Sequence, residues 1–237
     1  MSRWSYHLPI LGYHRVGPFK GDHVPTVSPE AFERQLALLA RCRYRVLGLE
    51  EAAERMQQTP SALRHAAVIT FDDGYEETAS VAWPLLKRFG FPATVFVTPA
   101  EVGRPGFATW EQIVAMARDG MTIGSHTMHH RYLPLVSEDR LPEELVDSKR
   151  VIEERIGRSV RLLSYPVGGF TPQVQAMARQ AGYAAACTTN RALSLRNGVD
   201  PFALRRIKVT ERDAHPLLLR VKLSGYYDVF RELKRPS

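Results

Sequence analysis

Val68-Ile69-Thr70-Phe71-Asp72-Asp73-Gly74 climbs from β-branched and aromatic residues to two adjacent carboxylates and stops at a glycine. Its apolar part has the character of a buried strand. Two charges at its end cannot be core residues unless something compensates them. Gly74 lets the backbone turn tightly, so both acids can stand at the strand's mouth. Such a build belongs to a site at the C-terminal edge of a parallel sheet or barrel. The competing reading is a solvated Asp-Gly turn after an ordinary strand, which is common. Residues elsewhere decide between them.

Strand-like and helix-like segments alternate on both sides of this stretch. Strands are predicted over residues 8–13, 44–47, 67–71, 93–97, 121–125, 160–165, 183–187 and 205–209. Helices are predicted over 29–40, 49–57, 76–89, 109–118, 141–156 and 171–181, with another from about residue 214. Ser28 before Pro29, and Thr171 before Pro172, have the form of helix starts, and Gly90 that of a helix stop. Seven or eight β/α units with short connections predict an α/β fold, a parallel sheet closed or nearly closed into a barrel. An open doubly wound sheet would carry a glycine-rich first turn, and none is present. No repeat or linker divides the chain, so a single domain over residues 1–237 is expected.

The 237 residues are 44% hydrophobic and 24% charged, an ordinary globular composition. The net charge of +7 favours anionic surfaces or substrates. Nine Lys/Arg against four Asp/Glu fall in residues 204–237, so most of the excess lies in the tail. There Leu217, Leu218, Leu219, Val221 and Leu223 alternate with Arg220 and Lys222. That pattern fits either a closing helix packed on the barrel or a basic helix touching a membrane surface. No nucleic-acid motif accompanies the charge. Cys42 and Cys187 do not make a disulfide framework. The first residues show no apolar signal region, and no stretch approaches a membrane span, so a cytoplasmic protein is expected.

Gly124-Ser125-His126-Thr127-Met128-His129-His130 follows another predicted strand. His126 and His130 are four apart; on one helical turn both imidazoles would share a face and could bind a metal. With Asp73 they form a two-histidine, one-carboxylate set that leaves a position open for water. Asp72 is then free to act as a base on that water. His129 is out of register and would point elsewhere. A third stretch, Ser164-Tyr165-Pro166-Val167-Gly168-Gly169, ends a strand in a glycine loop, where a backbone N–H could hold an oxyanion. A plain strand-to-helix turn fits those residues equally. His14, at the end of the first strand, could face the same mouth and give a proton to an amine leaving group.

Thr70-Phe71-Asp72-Asp73-Gly74, His126-Thr127-Met128-His129-His130 and the Tyr165-Pro166-Val167-Gly168 loop resemble, in order, the first three motifs of the polysaccharide deacetylases of carbohydrate esterase family 4. The resemblance covers roughly residues 9–209. It implies a distorted (β/α) barrel of about seven parallel strands. It implies Asp72 as catalytic base, and Asp73, His126 and His130 as ligands of one divalent metal, zinc before cobalt, nickel or manganese. It implies a carbohydrate substrate bearing acetyl groups, such as chitin, peptidoglycan or poly-N-acetylglucosamine. Two departures matter. Ser164 stands where the family carries an arginine that orients the base, and the late histidine, His215, lacks its expected strand. Both departures resemble the exopolysaccharide deacetylases of the poly-N-acetylglucosamine type, in which a Tyr-His motif supplies the acid; Tyr13-His14 fits it. Arg206, on a predicted strand, is then the candidate to replace the missing arginine beside Asp72. Three alternatives stay open: a deacetylase of a small or lipid-linked amino sugar, a cyclic imide or ureide amidohydrolase, and a non-catalytic carbohydrate-binding relative.

Overall fold

The computed structural model describes residues 8–189 and 200–224. Its strands are β1 (Ile10–Tyr13), β2 (Arg15–Val16), β3 (Thr26–Val27), β4 (Arg45–Leu47), β5 (Ala66–Phe71), β6 (Thr94–Val97), β7 (Thr122–Ser125), β8 (Leu162–Ser164), β9 (Ala185–Thr188), β10 (Leu204–Arg205) and β11 (Ile207–Lys208). Its helices are α1 (Pro29–Arg41), α2 (Leu49–Gln58), α3 (Trp83–Phe89), α4 (Trp110–Arg118), α5 (Ser148–Ile156), α6 (Pro172–Gln180) and α7 (Pro216–Leu223).

One sheet runs β10-β9-β8-β7-β6-β5-β1-β11, with β4 added beside β5, and every pairing in it is parallel. The two ends of that order, β10 and β11, are separated in sequence only by Arg206. Residues 204–208 are therefore one crossing segment. Its first half pairs with β9 and its second half with β1. The Arg206 N–H reaches Thr188 O at 3.1 Å, and the Val209 N–H reaches Gly12 O at 3.1 Å. Counting this segment once, seven strands ring a nearly closed barrel, as the motifs implied.

Strand alternation sorts the side chains. Leu11, Tyr13, Ile69, Phe71, Val95, Val97, Ile123 and Leu163 share one buried cluster with Phe32, Leu36 and Leu39 of α1 and Ile113 of α4. Ile10, Val68, Phe96, Leu162, Cys187 and Leu204 form a second cluster, with Leu49 and Ala52 of α2. On strand parity, Val68 leads to Thr70 and Asp72, Leu162 to Ser164, and Leu204 to Arg206. The barrel interior is thus apolar low down and polar at its C-terminal end.

The predicted helix starts are found as described: Ser28 accepts the Ala31 N–H, and Thr171 accepts the Val174 N–H. Two expected helices differ. Residues 76–89 and 141–156 each contain a turn of π-helix, Thr78–Ala82 and Glu143–Asp147, before the α-helix proper. Hydrophobic periodicity cannot register one extra residue in a turn. The expected strand over 205–209 is broken at Arg206. Helix α7 begins at Pro216; the tail residues Tyr226, Tyr227 and Phe230 lie outside the described residues. No helix among the described residues is long and apolar enough to cross a membrane.

Candidate functional site

Strand β5 delivers Asp72 and Asp73 to the barrel mouth, and the backbone then reverses. Asp73 has φ 69° and Gly74 φ 72°. Aspartate tolerates the left-handed region better than most residues, and glycine adopts it freely. A Cβ at Gly74 would also lie 3.5 Å from Val97. The turn parts the two carboxylates, and their surroundings differ.

Asp72 is buried, and Arg206 grips it with both guanidinium arms: Nη1 to Oδ1 at 2.7 Å and Nη2 to Oδ2 at 2.5 Å. The same arginine donates to Ser164 Oγ at 3.0 Å and Thr70 Oγ1 at 3.3 Å. Burial disfavours the Asp72 charge, but the Arg206 guanidinium outweighs it and holds this carboxyl well below the usual range. Ser164, where the motif pattern expects an arginine, is small enough to leave room for one arriving from the crossing strand.

Asp73 has no such cation. Burial and then the Asp72 charge push its pKa up. What faces it are two imidazoles: His126 Nε2 at 3.5 Å and His130 Nε2 at 3.3 Å from Oδ1. One ligand atom from each of the three residues lies within 4.8 Å of the others. His126 Nδ1 is 2.7 Å from Ser164 O. A carbonyl can only accept, so Nδ1 carries the proton and Nε2 presents a lone pair. Burial drives the His126 pKa down to about 4, keeping the ring neutral. Two imidazoles and a carboxylate are the donor set of a divalent cation, so these residues fit the implied metal.

The segment joining the histidines is not the helical turn that their spacing suggested. Thr127 (φ 65°) and His130 (φ 57°) are both left-handed, so residues 126–130 form a compact loop. Thr127 Oγ1 accepts the His130 N–H at 3.1 Å, and Ser125 Oγ accepts that of Thr127 at 3.1 Å. A separation of four brings two side chains together in either conformation. His129 does point elsewhere, onto Glu144.

A cavity of about 960 Å³ opens over these groups. His14, Tyr165, Val167, Gly168 and Arg206 line it together with Asp72, Asp73, His126 and His130. Pro166, though buried in the same turn, is not among the lining residues, and neither is His215, which is exposed at the start of α7. Burial lowers the His14 pKa, against the pull of Asp72 and Asp73, and its Nδ1 has no partner among the described residues. In the 165–169 turn, the N–H groups of Tyr165, Gly168 and Gly169 are taken by Cys187, Tyr165 and Pro166 carbonyls. Val167, at φ 57° and exposed, has the one remaining N–H without a partner among the described residues. Tyr75 and Glu144 were not singled out from sequence. Tyr75 hydrogen-bonds Asp73 and sits under the Arg15 guanidinium, 4.6 Å from its ring. An aromatic directly after Asp-Asp-Gly was the available signal for Tyr75.

The sequence profile of the family described as polysaccharide deacetylase matches residues 60–186. The chain is 31% identical over 203 residues to YxkH of Bacillus subtilis (strain 168), a protein named for that family, covering 86% of this chain and 71% of that one. It is 29% identical over 147 residues to the poly-β-1,6-N-acetyl-D-glucosamine N-deacetylase of Escherichia coli (strain K12). That match covers 54% of this chain but only 22% of the relative. Among solved structures, the Streptococcus pyogenes deacetylase PplD, in complex with acetate, superposes with a TM-score of 0.82 at 25% identity, covering 91% of this chain and 97% of that one.

Proposed function

This chain belongs to the polysaccharide deacetylase family, and on that premise we propose that it hydrolyses N-acetyl groups on an amino-sugar polymer of the poly-N-acetylglucosamine kind, releasing acetate. The observation that carries the proposal is the division of labour at residues 72 and 73. One carboxylate is clamped by Arg206, and its neighbour is left to two imidazoles. The whole chain is read as one catalytic unit.

In this reading Asp73, His126 and His130 hold a divalent metal, zinc first. When bound, such a metal supplies the Lewis acidity that makes water nucleophilic near neutral pH. Asp72 accepts the proton of the attacking water. Arg206 keeps that carboxylate ionised and fixes its plane. The Val167 N–H donates to the carbonyl oxygen as negative charge gathers there. The new C–O bond forms first; the C–N bond then breaks as His14, in the protonated form that the Asp72 and Asp73 charges favour, gives its proton to the departing amine nitrogen. Tyr165 and Pro166 shape the turn that presents Val167 and Gly168; the Tyr165 hydroxyl is tied to Phe202 O at 3.1 Å.

The preference for a polymer of this kind rests on His14, which lines the cavity, whereas His215 does not. The relative from Escherichia coli supports the same substrate class. A peripheral contact with an anionic membrane is proposed for α7, whose Leu217, Leu218 and Val221 are exposed beside Arg220. A cytoplasmic setting is proposed with it; both described cysteines are free thiols.

The test is acetate release from β-1,6-linked and β-1,4-linked N-acetylglucosamine oligomers, free N-acetylglucosamine and a cyclic imide. Oligomers should be cleaved faster than the monomer. A chelator should abolish turnover and zinc should restore it, and His126→Ala should fail to regain activity with zinc. Turnover of the cyclic imide alone, insensitive to chelator, would overturn the assignment.

A further inference from the structure

The π-turn Glu143–Asp147 lies directly against the loop that carries His126 and His130. Widening a helix by one residue releases carbonyls from the regular ladder. The Glu144 carbonyl accepts the Met128 N–H at 3.2 Å and the Ser148 hydroxyl at 2.7 Å. Ser148 Oγ is in turn 2.9 Å from Ser125 Oγ, the atom that accepts the Thr127 N–H.

The Glu144 side chain turns to the same loop. It is 1% exposed, so its carboxylate needs partners. Oε2 accepts the His129 N–H at 3.0 Å. Oε1 is 2.9 Å from His129 Nδ1, which donates to it, and 3.3 Å from Arg131 Nε. Both acceptor groups of one residue thus hold positions 128, 129 and 131 of the loop. The loop needs such a hold. Its two left-handed non-glycine residues, Thr127 and His130, are conformations that surrounding structure must impose.

We propose that Glu144 is a positioning residue for the metal centre: its carboxylate fixes residues 128–131 so that the His126 and His130 rings converge on Asp73, and thereby sets the affinity for a divalent metal. The inference rests on the reading of Asp73, His126 and His130 as metal ligands. A residue serving only the fold would do as well with an apolar side chain of similar volume. A residue serving the loop's geometry needs acceptors.

The experiment is zinc binding by the full metal-free chain, measured in competition with a chromophoric chelator. Glu144→Ala should weaken zinc about 10–100-fold, the scale of losses when a ligand's outer partner is removed. Glu144→Gln, near-isosteric, should fall between that and wild type. His129→Ala should lose less than Glu144→Ala, because the backbone N–H at 129 keeps its acceptor. The visible spectrum of the cobalt(II)-loaded Glu144→Gln variant should differ from that of wild type, a change that loss of general stability would not produce. If Glu144→Ala fails to fold, by circular dichroism of the metal-free chain, Glu144→Gln decides. Wild type that binds zinc, with folded variants within twofold of it and unchanged cobalt spectra, overturns the role of Glu144 alone. Wild type that binds no zinc overturns the metal reading and this inference with it.

Discussion

Arg206 and Asp72 meet end-on with both guanidinium arms, although 134 positions separate them in the chain. Both side chains are buried, at 2% and 4% exposure. A pair of this kind gains little over a well-packed apolar pair, yet costs a great deal when only one member is removed. Its presence at the barrel mouth is therefore explained by what it does to the carboxylate.

That asymmetry is testable. Arg206→Met strands the Asp72 charge, and Asp72→Asn strands the guanidinium. Each single variant should lose about 3–5 kcal/mol of stability in urea denaturation. The double variant should be more stable than the sum of the two losses predicts. Asp72→Asn should also lower kcat about 10²–10⁴-fold while leaving zinc affinity intact. Additive losses in the double variant would mean that the pair is not coupled.

Gly124 lies on β7 facing the barrel interior, where a Cβ would meet Phe96 ring carbons at 2.6 and 2.7 Å and Leu162 O at 3.0 Å. Phe96 is wholly buried. The Arg206 guanidinium carbon lies 5.6 Å from its ring centroid. Gly124→Ala should therefore destabilise the chain by about 1–3 kcal/mol, the usual cost of overpacking. A thermal midpoint equal to that of wild type would show that Phe96 is free to move.

Glu153 on α5 offers a pH test away from the site. Burial raises its pKa, but the Lys149 ammonium and the Val160 N–H, 2.8 Å from Oε1, outweigh it and leave the carboxyl below its ordinary value of 4.5. A lowered folded-state pKa means that the unfolded chain takes up the proton first. The stabilisation is thus present above the unfolded value and is lost as pH falls through the folded one. Glu153→Gln should lower the melting temperature at pH 7, and the gap to wild type should narrow as pH falls below 4.5. A gap between the two proteins that does not narrow on acidification would contradict this.

Much of the site was legible in the chain because its carriers are local. An apolar run ending in Asp72-Asp73-Gly74, and a second strand ending before His126 and His130, announce charges at strand ends whatever the tertiary structure. Strand count and helix positions followed from periodicity. The shape of the 126–130 loop did not, since four-residue spacing serves a helix and a compact loop alike. Glu144 escaped notice because a glutamate in a charged helix looks solvated until a π-turn aims it inward. Arg206, one of several tail cations, was a candidate beside Asp72 from the resemblance and not from a local pattern. Only the closing of the barrel distinguishes it from Arg205, which lines the cavity without gripping Asp72. The two-residue strands β2 and β3, which among the described residues pair only with each other, are too short to leave a pattern.

The crossing segment 204–208 also gives the chain a clock. A ribosome adding about 5–20 residues per second reaches position 206 roughly 7–27 s after position 72. Throughout that interval Asp72 lacks Arg206 and β1 remains an open edge able to pair with a neighbouring chain; β9, once residue 188 is made, is a second. The nascent protein therefore emerges as an unsealed sheet with an unanswered charge. The same five residues that bring the guanidinium to its carboxylate close that sheet, so assembly of the Arg206–Asp72 pair and protection from misassembly happen in one step.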